Sequence, residues 1–260
     1  MAFEYASRAS QGARSYQEDA ASVRAAPEGA GAASGQAGAT QLTAVLADGM
    51  GGHAGGALAS ATACQVFQRA FETSAGEVPA RLEEALSLAN MAIAECVEEN
   101  PALSGMGCTL VGAAFGPAGI EWVSVGDSPL FLVRKGEILL LNEDHSLAPE
   151  IDKLAAAGRM SWEDAKADPR RHFLRSALTG HDIDLVDRSR RPLALEPGDV
   201  VILASDGIQT LGHADILGVA QDSEAGSAED LAAALLAAIE AAGDAYQDNT
   251  TVVVVRVSGD

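Results

Sequence analysis

The chain has 260 residues, enough for one sizeable domain; 48% are hydrophobic and only 4% aromatic, so a core must be built mainly from Ala, Leu, Val and Ile. Its formal charge of −20 sets the surface against nucleic-acid phosphate and anionic membrane. There is no apolar run of about eighteen residues, residues 1–5 lack a signal-peptide pattern, and Cys64, Cys96 and Cys108 are scattered outside any CxxC. These features point to a cytoplasmic protein with reduced, buried thiols and exclude a disulfide framework or a cysteine zinc site.

Residues 3–10 and 20–26 are predicted strands. Between them Arg14 precedes two adjacent carboxylates, Glu18 and Asp19. The planar fork of arginine can hold two phosphate oxygens, although a salt-bridged turn explains this segment taken alone better. Residues 27–41, rich in Gly and Ala, read as a flexible hairpin loop. The apolar run 42–47 is a buried strand, and it leads into Asp48-Gly49-Met50-Gly51-Gly52-His53, ahead of a helix over 57–71. A carboxylate at the mouth of a strand, beside a backbone nearly free of side chains, suits a hard cation: Asp48 supplies a charged oxygen and Gly49 lets a carbonyl approach. A tight turn capped by Asp48 is an equal reading of this stretch alone. A phosphate-cradling loop is set aside, because no Lys-Ser or Lys-Thr pair follows and GxGxxG is absent.

A second helix is predicted over 79–99, with Pro79 in its first turn and Asn100-Pro101 ending it. The period then becomes strand-like over 107–115, 119–125, 130–134 and 137–141, read as one antiparallel meander. Residues 147–157 and a capped segment from Ser161 are helical. Residues 151–180 hold a basic cluster, Arg159, Lys166, Arg170, Arg171, His172 and Arg175, and read as a small lobe between strands. Strands follow at 183–188 and 200–204, helices at 214–220 and 228–241, and a last strand at 251–257. Carboxylates recur where apolar strands begin or end: Glu18, Asp19, Asp48, Asp127, Asp206 and Asp248. Such an all-oxygen set favours Mg²⁺, Mn²⁺ or Ca²⁺.

Seven pieces in this order resemble the metal-dependent serine/threonine protein phosphatases of the 2C type, bacterial branch. They are Arg14-Ser15-Tyr16-Gln17-Glu18-Asp19, Asp48-Gly49-Met50-Gly51-Gly52, Gly107-Cys108-Thr109-Leu110, Val125-Gly126-Asp127-Ser128, Asp144-His145-Ser146, Ser205-Asp206-Gly207 and Asp248-Asn249. Each alone is weak; together they span nearly the whole chain. The resemblance implies an α+β fold, a four-layer α-β-β-α sandwich of two packed antiparallel sheets flanked by helices, as one catalytic domain over 1–260 with a flap at 151–180. It implies two Mg²⁺ or Mn²⁺ ions bridged by Asp48, with the Gly49 carbonyl on one, Asp206 and Asp248 on the other, Glu18 contributing and Asp19 supporting. Asp127, with Asp206, matches the position of a third, looser metal. Arg14 would grip the substrate phosphate. The implied reaction is hydrolysis of phosphoserine and phosphothreonine by a metal-bridging hydroxide; the alternative is a pseudophosphatase that binds phosphoproteins. Implied partners are phosphorylated proteins and a Ser/Thr kinase with its targets. The chain is expected to be a monomer that binds neither nucleic acid nor membrane.

Several positions depart from the family pattern, among them Asp168 and His172 of the segment Asp168-Pro169-Arg170-Arg171-His172, which stand where His and Asn are usual. Gln17 stands where Asn is usual and keeps the amide. Pro129 stands where Arg commonly follows Gly-Asp-Ser, so an ion pair there is lost. Met50 replaces the histidine that many eukaryotic relatives offer as a proton donor; His53 is a nearby candidate, against the plainer reading of a histidine bonded within its loop.

Overall fold

The computed structural model describes residues 1–25, 39–52 and 54–259. Two antiparallel sheets face each other. The first has the order β1 (Ala2–Ser10), β11 (Thr250–Ser258), β10 (Val200–Ala204), β7 (Leu130–Arg134), β8 (Glu137–Leu140). The second runs β2 (Asp19–Ala25), β3 (Leu42–Met50), β5 (Leu110–Gly116), β6 (Gly119–Val125), β9 (Asp187–Arg188), with the short β4 (Gly107–Cys108) on the end of β3.

Three apolar layers result. Between the sheets lie Phe3, Leu46, Val111, Leu130, Leu203 and Val253 among others. Helices α1 (Ala54–Thr73) and α2 (Val78–Glu99) cover the outer face of the second sheet through Phe67, Leu82, Leu86 and Ile93. Helices α5 (His213–Asp222) and α6 (Ala228–Ala242) cover the first through Ile216, Leu231, Leu235 and Ile239. The four-layer α-β-β-α sandwich is therefore the observed fold. An aromatic-poor core still needs bulk, and Phe67 supplies it at 0% exposure; its ring lies over Gly112, where a side chain would collide with it.

Helix ends follow local chemistry. Pro79 lies in the first turn of α2, and the Asn100 side chain accepts the Ala102 N–H to start the next turn. Ser227 and Asp230 cap α6 reciprocally, and Gly243, at φ 67°, ends it in the left-handed conformation. Ser161 caps α4 (Trp162–Ala167) by accepting the Asp164 N–H. That helix packs on α3 (Ala148–Ala156) through Ile151, Ala155 and Ala165, a small core apart from the other three.

Two expectations are corrected. The four strands from 107 to 141 are not one meander: the chain leaves the second sheet after β6 and enters the first at β7, giving two hairpins in different sheets. The strands β5, β6 and β7 around the crossover are buried on both faces, so period-2 patterning cannot tell them from a continuous sheet. The strand expected at 183–188 shrinks to Asp187–Arg188, held by the Trp122 indole N–H on Asp187. The loop expected at 27–41 lies mostly outside the described residues; Ala39 bridges to Phe3.

Candidate active site

One end of the sandwich carries an acidic cleft of about 820 Å³, lined by Arg14, Glu18, Asp48, Gly49, Asp127, Asp206 and Asp248. Asp19 stands just behind it. The register makes this convergence: Asp19 and Asp48 are cross-strand partners in β2 and β3. Asp48 thus lies inside β3, which continues to Met50, rather than beyond its end. Asp127 sits in the crossover between the sheets, Asp206 follows β10, and Asp248 precedes β11.

Neutral side chains fix this backbone. Asn249 accepts the Glu18 N–H at 2.8 Å and donates to the carbonyls of Gln11 at 2.8 Å and Tyr16 at 2.9 Å, tying the Arg14 loop to the root of β11. The Ser205 hydroxyl donates to Asp19 at 2.7 Å and accepts the Thr251 N–H at 2.9 Å. The Thr109 hydroxyl accepts the Asp48 N–H at 3.0 Å and shares a hydrogen bond with Ser128 at 2.7 Å. His145 closes the Asp127 turn: its ring nitrogen accepts the Gly126 N–H at 3.2 Å, and burial pushes its pKa down. Gln17 accepts the Asp19 N–H at 2.9 Å, so the amide retained at this position is used.

The carboxylates strain against one another. Burial, then Asp206 and Asp144, push Asp127 up to about 7. Burial pushes Asp19 up to about 6, against the opposing pull of its hydroxyl partners. Asp48 is raised well above the carboxylate range by burial and by Asp19 and Asp206, and Asp206 is raised by burial and Asp248. Asp48 and Asp206 thus burden one another's ionised forms, a crowding that a shared proton or a cation between them relieves. Glu18 Oε1 and Asp19 Oδ1 are buried with no hydrogen-bond partner. Close approach needs glycine at two positions here: a side chain at Gly49 would collide with the Gly56 and Glu18 carbonyl oxygens, and one at Gly56 with the Glu18 carboxylate.

This donor set fits hard divalent cations: all oxygen, mostly anionic, partly orphaned, and short of positive charge. It is not a closed cage. Among the described residues no three acidic, histidine or cysteine groups stand together in ready coordination geometry. Part of the reason is Arg14, which is ion-paired with Asp248. The cation expected on a phosphate and the carboxylate expected on a metal therefore hold each other. His53 lies outside the described residues. Cys64 and Cys108 are buried, with thiols pushed up, Cys64 to about 12, so neither is a nucleophile.

Sequence reasoning did not single out Asn249, Ser205, Thr109 or Ser128 as the scaffold, although all four lie in or beside the recognised pieces. Asp182 and Asp184 also line the cleft and carried no signal beyond their charge, and His172 of the basic cluster lines it too. Three of the six residues of the basic cluster are neutralised locally: Arg170 pairs with Asp168, Arg171 with Asp152 and Arg175 with Glu150.

Comparison with known proteins agrees with this geometry. The family profile of protein phosphatase 2C matches residues 28–235. Serine/threonine protein phosphatase PstP of Mycobacterium tuberculosis is 35% identical over 214 residues, covering 82% of this chain and 40% of PstP. Serine/threonine phosphatase stp of Listeria monocytogenes is 33% identical over 172 residues, covering 64% of this chain and 66% of that protein. The chain thus spans well under half the length of the mycobacterial relative. The crystal structure of M. tuberculosis PstP superposes with a TM-score of 0.79 at 32% identity, covering all of both chains. The PstP catalytic domain in complex with two manganese ions gives 0.76 at 32% identity, covering 99% of each. By sequence profile and by fold, this chain belongs to the protein phosphatase 2C family.

Proposed function

We propose that the chain is a metal-dependent phosphoprotein phosphatase acting on phosphoserine and phosphothreonine. The observation that carries the reading is the cleft itself: it is lined by seven carboxylates, among them Glu18, Asp48, Asp127, Asp206 and Asp248 from separate segments, and by the two arginines Arg14 and Arg175; among the described residues its lining holds no cysteine, and its one serine, Ser176, spends its hydroxyl on the Leu185 carbonyl. Residues 1–260 act as one catalytic domain and residues 151–180 as the flap beside the cleft. Asp48, the Gly49 carbonyl, Asp206 and Asp248, with Glu18 contributing and Asp48 common to both, would hold two ions. Asp127 and Asp206 serve a third site. When bound, Mg²⁺ or Mn²⁺ makes water nucleophilic near neutral pH and offsets the charge on the phosphate oxygens.

The chain's own residues do the rest. Asp19 stays behind the cleft and fixes β2 through Ser205, keeping Glu18 aimed forward. Thr109 holds the Asp48 backbone, so that its carboxyl points into the cleft. Arg14 leaves Asp248 as the substrate arrives and binds two phosphate oxygens with its planar fork, a trade between two charge-assisted contacts of similar kind. Met50 has no proton to give, so the departing alcohol is protonated by solvent or by another group at the rim.

In this reading the partners are phosphorylated Ser/Thr proteins and the kinase that opposes the enzyme, the chain acts as a monomer, and its place is the cytoplasm. Among the described residues no helix is long and apolar enough to cross a membrane. The relatives named above are themselves serine/threonine phosphatases, which supports the substrate class.

The test is hydrolysis of a phosphothreonine peptide in Mn²⁺, in Mg²⁺ and in chelator, with Asp206→Ala as control. Turnover should require metal and vanish in the variant. A folded, Mn²⁺-binding protein with no turnover on any phosphopeptide would point instead to a phosphoprotein-binding pseudophosphatase.

A further inference from the structure

At the other end of β3 a different site is built. Arg24, Thr43, Ala114 and Glu121 pair in turn across four strands of the second sheet. Residues paired in this way point to one face. That face is the one α1 and α2 cover, because Ala114 belongs to their core. Over the row lies a cavity of about 530 Å³ that shares no lining residue with the acidic cleft.

Gln68 of α1 lines this cavity at 1% exposure, and neither its carboxamide nitrogen nor its oxygen has a hydrogen-bond partner. A buried amide left unpaired on both atoms opposes folding, and a leucine or methionine of similar volume would serve an empty space better. The surroundings restrict what could satisfy it. Phe71 and Val78 give apolar walls. Glu121, at 9% exposure, brings a carboxyl to the lining, which disfavours an anion. The cations at the rim are engaged: Arg24 pairs with Glu72 at 3.1 Å, and Arg81 donates to the Phe71 carbonyl while stacking on its ring at 4.0 Å.

We propose that this cavity binds a small neutral molecule carrying a primary carboxamide on an apolar body. The ligand carbonyl accepts from Gln68 Nε2. Its amide nitrogen donates one proton to Gln68 Oε1 and the other to Glu121. Phe71 and Val78 take the apolar part. Every polar atom on both sides is then paired, the arrangement that lets a buried polar site discriminate against analogues lacking a donor or acceptor. The site stands independently of the phosphatase reading.

Benzamide is a direct probe, titrated into the full chain and followed by backbone amide NMR. Saturable shifts are expected at Thr43, Ala114 and Glu121, with Asp127 and Asp206 unmoved. Affinity should fall at least about tenfold, or about 1.4 kcal/mol, in Gln68→Leu and in Gln68→Met, and toluene should bind no more tightly than benzamide does to those variants. If Gln68→Leu fails to fold, the more adaptable Gln68→Met decides. No saturable shift up to the solubility limit, equal affinity in the folded variants, equal binding of toluene to the wild-type chain, or shifts at the acidic cleft would each overturn the assignment.

Discussion

Arg14 is 56% exposed in its side chain, yet its partner Asp248 is one of the cleft carboxylates, so removing it acts on two functions at once. Arg14→Ala should lower kcat/KM for a phosphopeptide by about tenfold to a hundredfold, the equivalent of one charged hydrogen bond. It should also leave Asp248 freer for a cation, so Mn²⁺ binding measured by calorimetry should not weaken. Asn249 argues the other way. It is 5% exposed and carries three hydrogen bonds to the Arg14 loop and to Glu18. Asn249→Ala should destabilise the fold by about 1–3 kcal/mol and lower Tm by several degrees, read by thermal denaturation. These two residues show what the sequence discloses. Arg14 could be singled out because a lone cation before paired carboxylates suggests chemistry. Its ion pair across 234 positions could not, because no local pattern joins residue 14 to residue 248. Asn249 stands in a recognised piece but with no role attached to it, and only the folded register reveals its three partners.

At the scale of elements, local signals read well where local chemistry decides. Ser161, Pro79 and Asn100 mark helix ends from the sequence, because a cap is made within a few residues of itself. The crossover at Asp127 was not legible, because both flanking strands are buried on both faces and either sheet would satisfy them. The segment 151–180 shows the same division. Ile151, Ala155 and Ala165 form a small core of their own, while Leu178 joins the core under α1 and α2, and the arginines pair mostly within the segment. A lobe with so small a core opens more readily than the sheets do. Amides of α4 should therefore exchange with solvent far faster than those of β10 and β11, as hydrogen-exchange NMR would show, and comparable protection would mean that the flap is rigid.

For the whole molecule, charge ties stability to metal. Asp19 and Asp127 titrate near 6 and 7 in the fold, against about 3.8 for an ordinary aspartate. Their folded pKa values lie above the unfolded ones, so the folded chain binds more protons between about pH 4 and 7. In chelator, stability should fall as pH rises through that window. His145, pushed below its usual 6.5, acts in the opposite sense and weakens the fold as acid charges it, so the gain on acidification is largest above its titration. Saturating Mn²⁺ should raise Tm most at the alkaline end, where the carboxylates are charged, and flatten the slope. A metal-free Tm that climbs steadily from pH 5 to 7.5 would contradict the carboxylate crowding. Added salt should likewise stabilise the metal-free chain, because a net charge of −20 repels itself.

The first and last strands lie side by side, with Ala2 opposite Ser258 and Ser10 opposite Thr250, and the last strand sits between β1 and β10. During synthesis, then, the first sheet has a gap in its middle until residues 250–258 leave the ribosome. Asp248 and Asn249 arrive with them. The nascent chain can assemble the second sheet with α1 and α2 early, but it has no finished cleft until that late strand slots in. A ribosome stalled short of residue 248 would display a half-sandwich with apolar strand edges open and a cleft that lacks Asp248. Completion of the sheet and completion of the cleft are one event.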